Sequence, residues 1–165
     1  MRVLGVDPGT FKMGVGVLDS VDGELTLVHA GVLSARRGQS LGRRLHHLYG
    51  GLLGVISEWQ PGVVAVEEPF VATNVRAAMA VGQAQAVAMV AAAHHGLDVQ
   101  GYSPREVKRA VTDYGGSAKA QVQEMVRVLL GLPDEWEESP DAADALAVAI
   151  CHVSASQVLE IVIEE

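Results

Sequence analysis

Four carboxylates occupy positions from which a fold could gather them: Asp7 after the apolar run Val3 to Val6, Glu67 after Val63 to Val66, and Asp141 with Asp144. Residues three apart share one face of a helix, so Asp141 and Asp144 would project together. If the two apolar runs are neighbouring strands, Asp7 and Glu67 emerge side by side at one sheet end, where a packed helix adds the second pair. Four carboxylates at close range cannot all ionise cheaply, which implies a divalent cation. Oxygen ligands select hard ions such as magnesium or manganese. Two ions about 4 Å apart can hold the attacking water and the leaving oxygen of an in-line phosphodiester hydrolysis. Each acid also has a plain structural reading: Asp7 before Pro8-Gly9 as a turn residue, Asp141 as a charge favoured at a helix N-terminus, and Glu67-Glu68 as an exposed strand end. Their occurrence within one compatible topology favours the site. Successive strand residues point to opposite faces, so only one of Glu67 and Glu68 can join Asp7. Glu67 closes the regular run, whereas Glu68 precedes Pro69 and begins the departure into a loop.

The positioning elements follow from periodicity. Val3 to Asp7 and Met13 to Leu18 read as strands joined by a turn at Pro8-Gly9, and Glu24 to Leu33 alternates as a third strand after Asp22-Gly23. From Ser40, a candidate N-cap, Leu41, Leu45, Leu48, Leu52 and Ile56 describe an amphipathic helix that stops near Gln60-Pro61-Gly62. Val63 to Val66 is a fourth strand, Thr73 or Asn74 can cap a helix with its body from Ala77 to Ala93, and Val99 to Tyr102 is a fifth strand. Pro104 suits the first position of a helix. Gly115-Gly116 separates that helix from one beginning near Ser117, and an acidic loop leads to a last helix from about Asp141 to Ser156. The order βββαβαβααα implies an α/β domain, a five-stranded mixed sheet covered by helices on both faces.

The length of 165 residues and 49% hydrophobic content suit one domain over residues 1–165, with a real core and no linker or repeat. The apolar stretch from Met79 to Ala93 is broken by Gly82, Gln83 and Gln85 and is shorter than a bilayer span requires. Nothing at the start reads as an export signal, so the cytoplasm is the expected location. The single cysteine, Cys151, lies in an apolar run and reads as a buried structural thiol. Net charge is −8, yet all 12 Lys and Arg precede residue 128 and the stretch beyond carries acids alone. Clusters at Arg36-Arg37, Arg43-Arg44 and Arg105 with Lys108-Arg109 could give a local phosphate-binding surface; solvated helix faces would explain them equally well.

The residues Val6-Asp7-Pro8-Gly9 with Gly14, then Val66-Glu67, then Asp141-Ala142-Ala143-Asp144-Ala145-Leu146-Ala147 resemble RuvC, the bacterial Holliday junction resolvase of the RNase H-like superfamily. The resemblance covers essentially the whole chain, including Phe70 with Asn74, Gly82-Gln83-Ala84, Val107-Lys108 and Lys119 to Val122. It implies a single RNase H-like nuclease domain with Asp7, Glu67, Asp141 and Asp144 as catalytic metal ligands, holding two magnesium ions or manganese in their place. It also implies a homodimer that nicks two opposed strands of a four-way junction symmetrically, in recombination and repair, together with the RuvA and RuvB branch-migration complex. Two departures stand out: the chain stops at Glu164-Glu165 where relatives often continue with basic residues, and its pI of 5.2 is low for a DNA enzyme.

Lys108 and Lys119, read as lying at or near helix starts, match family positions from which an ammonium reaches a phosphate. Phe70, in a loop, could stack on an unpaired base or belong to the core, and the resemblance favours stacking. Asn74 and Arg76 are nearby DNA-contact candidates. The histidine pairs 46–47 and 94–95, and His152, lack ligand partners. Met79, Gly82 or Gln83, Ala86, Met89 or Val90 and Ala93 form an apolar stripe on the helix from Arg76 to His95, after the fourth strand, that suits a twin subunit. Two rivals remain. Asp7-Pro8-Gly9-Thr10 also suits the phosphate loop of an actin-like ATPase, although such proteins need a second domain of this kind; the other rival is a catalytically inactive junction-binding protein, which would gain by losing the acids.

Overall fold

The computed structural model describes residues 1–70, 74–136 and 139–163. The chain opens with β1 (Arg2–Asp7), β2 (Lys12–Val21) and β3 (Glu24–Ser34), paired antiparallel in succession. Asp22 and Gly23, both at positive φ, form the turn between β2 and β3, the left-handed pair that matches the twist of a tight hairpin. There follow α1 (Leu41–Trp59), β4 (Val63–Glu67), α2 (Val75–His94), β5 (Val99–Tyr102), α3 (Pro104–Thr112), α4 (Lys119–Leu129) and α5 (Pro140–Ile163). The strand order is β3-β2-β1-β4-β5, with β4 parallel to β1 and β5 parallel to β4. This is the expected α/β mixed sheet, and it places the two acid-bearing strands side by side.

Strand alternation divides the core in two. Leu4 and Val6 of β1, Val15 and Val17 of β2, and Val64 and Val66 of β4 face α1 and α2, where Leu48, Leu52, Ala84 and Ala88 meet them. Val3, Leu18 and Ala65 face the other way, against α5 with α3 and α4. Helix α5 is apolar on all sides because it is covered on all sides, by the sheet below and by α3 and α4 above. Its run Ala142 to Val153 is buried apart from half-buried Asp144. Cys151 is buried there as expected, its thiol pushed up to about 12 by burial and secondarily by Glu106.

Three glycines let α5 lie directly on the strands. A Cβ at Gly5 would collide with the carbonyl oxygen of Ala145, one at Gly14 with that of Asp141, and one at Gly16 would come within 2.7 Å of the Leu146 side chain.

Several boundaries differ from sequence expectation. Helix α5 continues to Ile163, and α4 starts at Lys119 because the Ser117 hydroxyl is engaged with Thr112 and Tyr114. Asn74 caps α2 by accepting from the Ala77 N–H at 3.0 Å; the alternative cap Thr73 and the acidic residues 137–138 and 164–165 lie outside the described residues. Helix α2 extends beyond the Met79–Ala93 stretch and is long and apolar enough to cross a membrane by length and composition. Its buried residues Ala78, Ala84, Ala88, Ala91 and Ala92, however, are docked in the core.

Glycine substitutions should separate close approach from mere helix composition. Gly14→Ala is expected to lose about 1–3 kcal/mol of stability, as overpacked sites do. Gly50→Ala, inside α1 with open space where its Cβ would go, is expected to gain roughly 0.5–1 kcal/mol. Urea unfolding of the two variants checks the opposite signs.

Candidate metal centre

The Val6–Val66 register sets Asp7 next to Glu67 at the carboxyl end of the two central strands, both on the face that carries α5. The first turn of α5 crosses this end. Asp7, Asp141 and Asp144 offer carboxylate oxygens that all lie within 4.8 Å of one another. Glu67 joins Asp7 and Asp144 in a cleft of about 230 Å³, also lined by Lys108 and Lys119. All four expected acids are thus brought together. Glu68 is not among them: it is exposed, with its carboxylate over Gly101 of β5.

Surrounding groups fix the helix acids. Ser139 caps α5, with the Asp141 N–H donating to its Oγ at 3.3 Å and that hydroxyl donating to Asp141 Oδ2 at 3.4 Å. Gln123 Nε2 donates to Asp144 Oδ1 at 3.2 Å, and Lys119 Nζ pairs with Asp144 Oδ2 at 2.5 Å. Neither Ser139 nor Gln123 was anticipated. The Ser139-Pro140 dipeptide carries a helix-start signal, and Gln123 stands four residues after Lys119 on the same face of α4.

Burial and crowding raise the two strand carboxyls. Asp7 is pushed up to about 8, first by burial and then by the charges of Glu67, Asp144 and Asp141, with Lys119 opposing. Glu67 is raised chiefly by burial, while its hydrogen bond with Asp7 and the lysines 119 and 108 pull the other way. A hydrogen bond between two carboxyl groups requires a proton on one of them. The raised carboxyls favour such a proton, and a cation bound to the oxygens would displace it. An all-oxygen, half-buried set with excess negative charge fits a hard divalent ion.

Of the remaining candidates, Lys108 and Lys119 line this cleft. Lys119 is the first residue of α4, as expected, whereas Lys108 sits further along α3, in its second turn. Phe70 is 71% exposed just beyond β4, which removes it from the core. Arg76 is exposed in the first turn of α2, and the Asn74 side-chain oxygen is committed to the α2 cap, which leaves its amide NH₂ to reach outward. Among the described residues no histidine joins a ligand cluster. His152 is instead buried against the Tyr102 hydroxyl, at 2.8 Å.

The Asp7 shift has a sign that stability measurements can read. The folded protein holds a proton that the unfolded chain releases near pH 4, so this contribution to stability is full at low pH and is lost as pH rises through about 8. In chelator, Asp7→Asn is expected to melt above the parent at pH 8 by at least about 3 °C, with the gap closing toward pH 4. Calorimetric melts across that range check it.

Comparison with known proteins agrees with the geometry. The chain matches the family described as Crossover junction endodeoxyribonuclease RuvC over residues 3–152. It is 49% identical over 154 residues to the protein of that name from Dehalococcoides mccartyi strain 195, covering 93% of each chain. The corresponding protein from Chloroflexus aggregans is 48% identical over 160 residues, with 97% of each chain covered. A solved structure described as T. thermophilus RuvC in complex with Holliday junction substrate superposes with a TM-score of 0.87 at 34% identity, covering 96% of each chain. The yeast mitochondrial resolvase Ydc2, 16% identical with a TM-score of 0.64, shares the fold. With the family match spanning both strand acids and both helix acids, the chain belongs to the RuvC family of crossover junction endodeoxyribonucleases.

Proposed function

We propose that the protein is a structure-selective endonuclease that resolves Holliday junctions by divalent-metal-dependent phosphodiester hydrolysis, one RNase H-like domain per subunit. The observation that carries this reading is the convergence of Asp7, Asp141 and Asp144, with Glu67 in the same cleft, in a member of this family. All four acids are catalytic ligands in this reading. When bound, a pair of magnesium ions, or manganese in their place, supplies an activated water and stabilises the leaving oxygen.

The chain's own groups do the rest. Burial and crowding hold the Asp7 and Glu67 carboxyls high, and Gln123 and Ser139 keep the helix acids aimed into the cleft. Lys108 and Lys119 flank the acids, placed to bind the phosphates of the cut strand and offset the field of the carboxylates. Phe70 presents an exposed ring for an unpaired base at the crossover, and Arg76 and the Asn74 amide at the start of α2 are exposed for the backbone. The actin-like reading gives no role to the two acids of α5, and the inactive-binder reading gives no reason to keep four mutually repelling carboxylates.

A homodimer would let two such sites act on opposed strands. Met79, Met89 and Val90 on α2 are 60%, 49% and 58% exposed, so the apolar stripe is open in the single subunit. Between α1 and α2 the same face forms an apolar groove lined by Leu45, Tyr49, Ala86, Val87 and Val90. Cooperation with the RuvA and RuvB branch-migration complex, in the cytoplasm, completes the reading.

An end-labelled synthetic four-way junction is expected to receive paired symmetric nicks in magnesium, while linear duplex of the same sequence stays whole; cutting of both alike would refute the function. Under single-turnover conditions Glu67→Gln should abolish cleavage, and Glu68→Gln should keep most of it. The reverse ranking would place the wrong carboxylate in the site.

Met89→Glu should yield monomers by light scattering that cut single strands without pairing. A dimer that still makes paired nicks would move the interface elsewhere.

A further inference from the structure

Five cations gather at the same end of the sheet as the acids and have no place in the site just described: Lys12, Arg36, Arg37, Arg43 and Arg44. Their position follows from the topology. Asp7 ends β1 at that edge, β2 begins there at Lys12, and β3 returns there to end at Ser34 opposite Lys12. The connection from β3 to α1 carries Arg36 and Arg37, and the first turns of α1 carry Arg43 and Arg44. Outside the metal-centre cluster, the acids of the hairpin are segregated from them. Asp19, Asp22 and Glu24 lie toward the opposite end of the β2–β3 hairpin, and residues 25–57 contain no Asp or Glu. Among the described residues none of the five makes a salt bridge, although Arg2 and Arg127 each do.

The patch has a fixed element. The Arg44 guanidinium lies 3.8 Å from the centre of the Phe11 ring, and Phe11, 46% exposed in the β1–β2 turn, is held by its carbonyl accepting from the Ala35 N–H at 2.8 Å. Stacking orients a guanidinium's donor edges without using them. Arg44 Nε and, in the same connection, Gln39 Oε1 are buried polar atoms without a partner. Beside them Phe11, Lys12, Ser34, Ala35, Arg37 and Gly38 line an open hollow. A held arginine with an unmatched donor, ringed by unpaired cations, suits a ligand with many regularly spaced anionic oxygens.

We propose that this surface is a second DNA-contact site, which grips the phosphate backbone of the duplex arm leading away from the crossover. It rests on the junction-cutting reading for the identity of the DNA, and it supplies what that reading lacks. A chain of net charge −8 must find its phosphate affinity in a local field, and here the field is concentrated. With strands about 4.8 Å apart and a rise near 3.3 Å per residue, Lys12 lies roughly 8 Å and Ser34 roughly 12 Å from Asp7. Duplex DNA carries a charge every ~1.7 Å of axis, so an arm leaving the metal centre passes several phosphates over this distance. Contacts to phosphate position a duplex without reading its sequence. The surface therefore adds affinity and sets the direction of the arm, and the crossover itself is recognised elsewhere.

The test uses the full-length chain in calcium, with binding to a fluorescent four-way junction and to a linear duplex of equal arm length measured from 50 to 300 mM salt. The double variant Arg36→Gln/Arg37→Gln changes exposed side chains, and a thermal melt checks that its fold is kept. It should weaken both DNAs by the same factor of at least tenfold at about 100 mM salt and lower the log–log salt slope by ~1.8, two backbone contacts' worth. Arg44→Lys keeps the charge but loses the planar stacked fork, and should also weaken both. Unchanged slopes in the double variant, or a loss confined to the junction, would overturn the proposal. If the parent protein itself shows no preference for the junction, the function reading fails, while the slope on linear duplex still decides whether the surface binds DNA.

Discussion

The close approach of α5 to β1 and β2 is the constraint on which the rest depends. Strand residues at Gly5, Gly14 and Gly16 present no Cβ, so the helix backbone rests on the sheet backbone instead of on a layer of side chains. Side chains of ordinary size would lift the helix by several ångströms, and short aspartates could not then span the gap to Asp7. The small residues of α5 from Ala142 to Ala149 are the other half of the same fit. Packing density here sets carboxylate geometry directly, and a change of one methyl group at Gly14 would act on the carbonyl of Asp141 itself.

That geometry has an electrostatic consequence. Acids pressed together and half-buried are an unfavourable arrangement for the folded chain, which raises the Asp7 and Glu67 carboxyls and is relieved in part by the Lys119 ammonium against Asp144. Stability and activity therefore pull in different directions at this end of the sheet, as is usual where a site is preorganised for a charge it does not itself contain. The same end also bears the cations of the β3–α1 connection, so the molecule separates an acidic cleft from a basic rim. Its overall acidity says little about either.

Much of this was legible in the sequence. Strand alternation and the βαβ order gave the sheet, and the parity of residues along β4 distinguished Glu67 from Glu68. The i, i+3 spacing placed Asp141 and Asp144 on one face. What could not be read was tertiary. Gly5, Gly14 and Gly16 look like ordinary strand glycines until the helix above them is known. Gln123 and Lys119 meet Asp144 only because α4 packs on α5, and no local pattern announces a hydrogen bond across that interface. For Phe70 the sequence leaves base stacking and core packing both open, because a lone aromatic after a strand suits either, and its exposure removes the second. The cap at Ser139 was visible in its Ser-Pro pairing but was overshadowed by the acids that follow.

The order of elements along the chain also bears on synthesis. Asp7 is among the first residues to leave the ribosome, and its partners on α5 follow every strand and four other helices. At roughly 5–20 residues per second, on the order of ten seconds separate the two. Through that interval the sheet lacks the helix that covers one of its faces, and the acids cannot converge. Contacts this distant in sequence form late and slowly. A nascent chain therefore cannot assemble the acidic cluster, which forms only together with completion of the core.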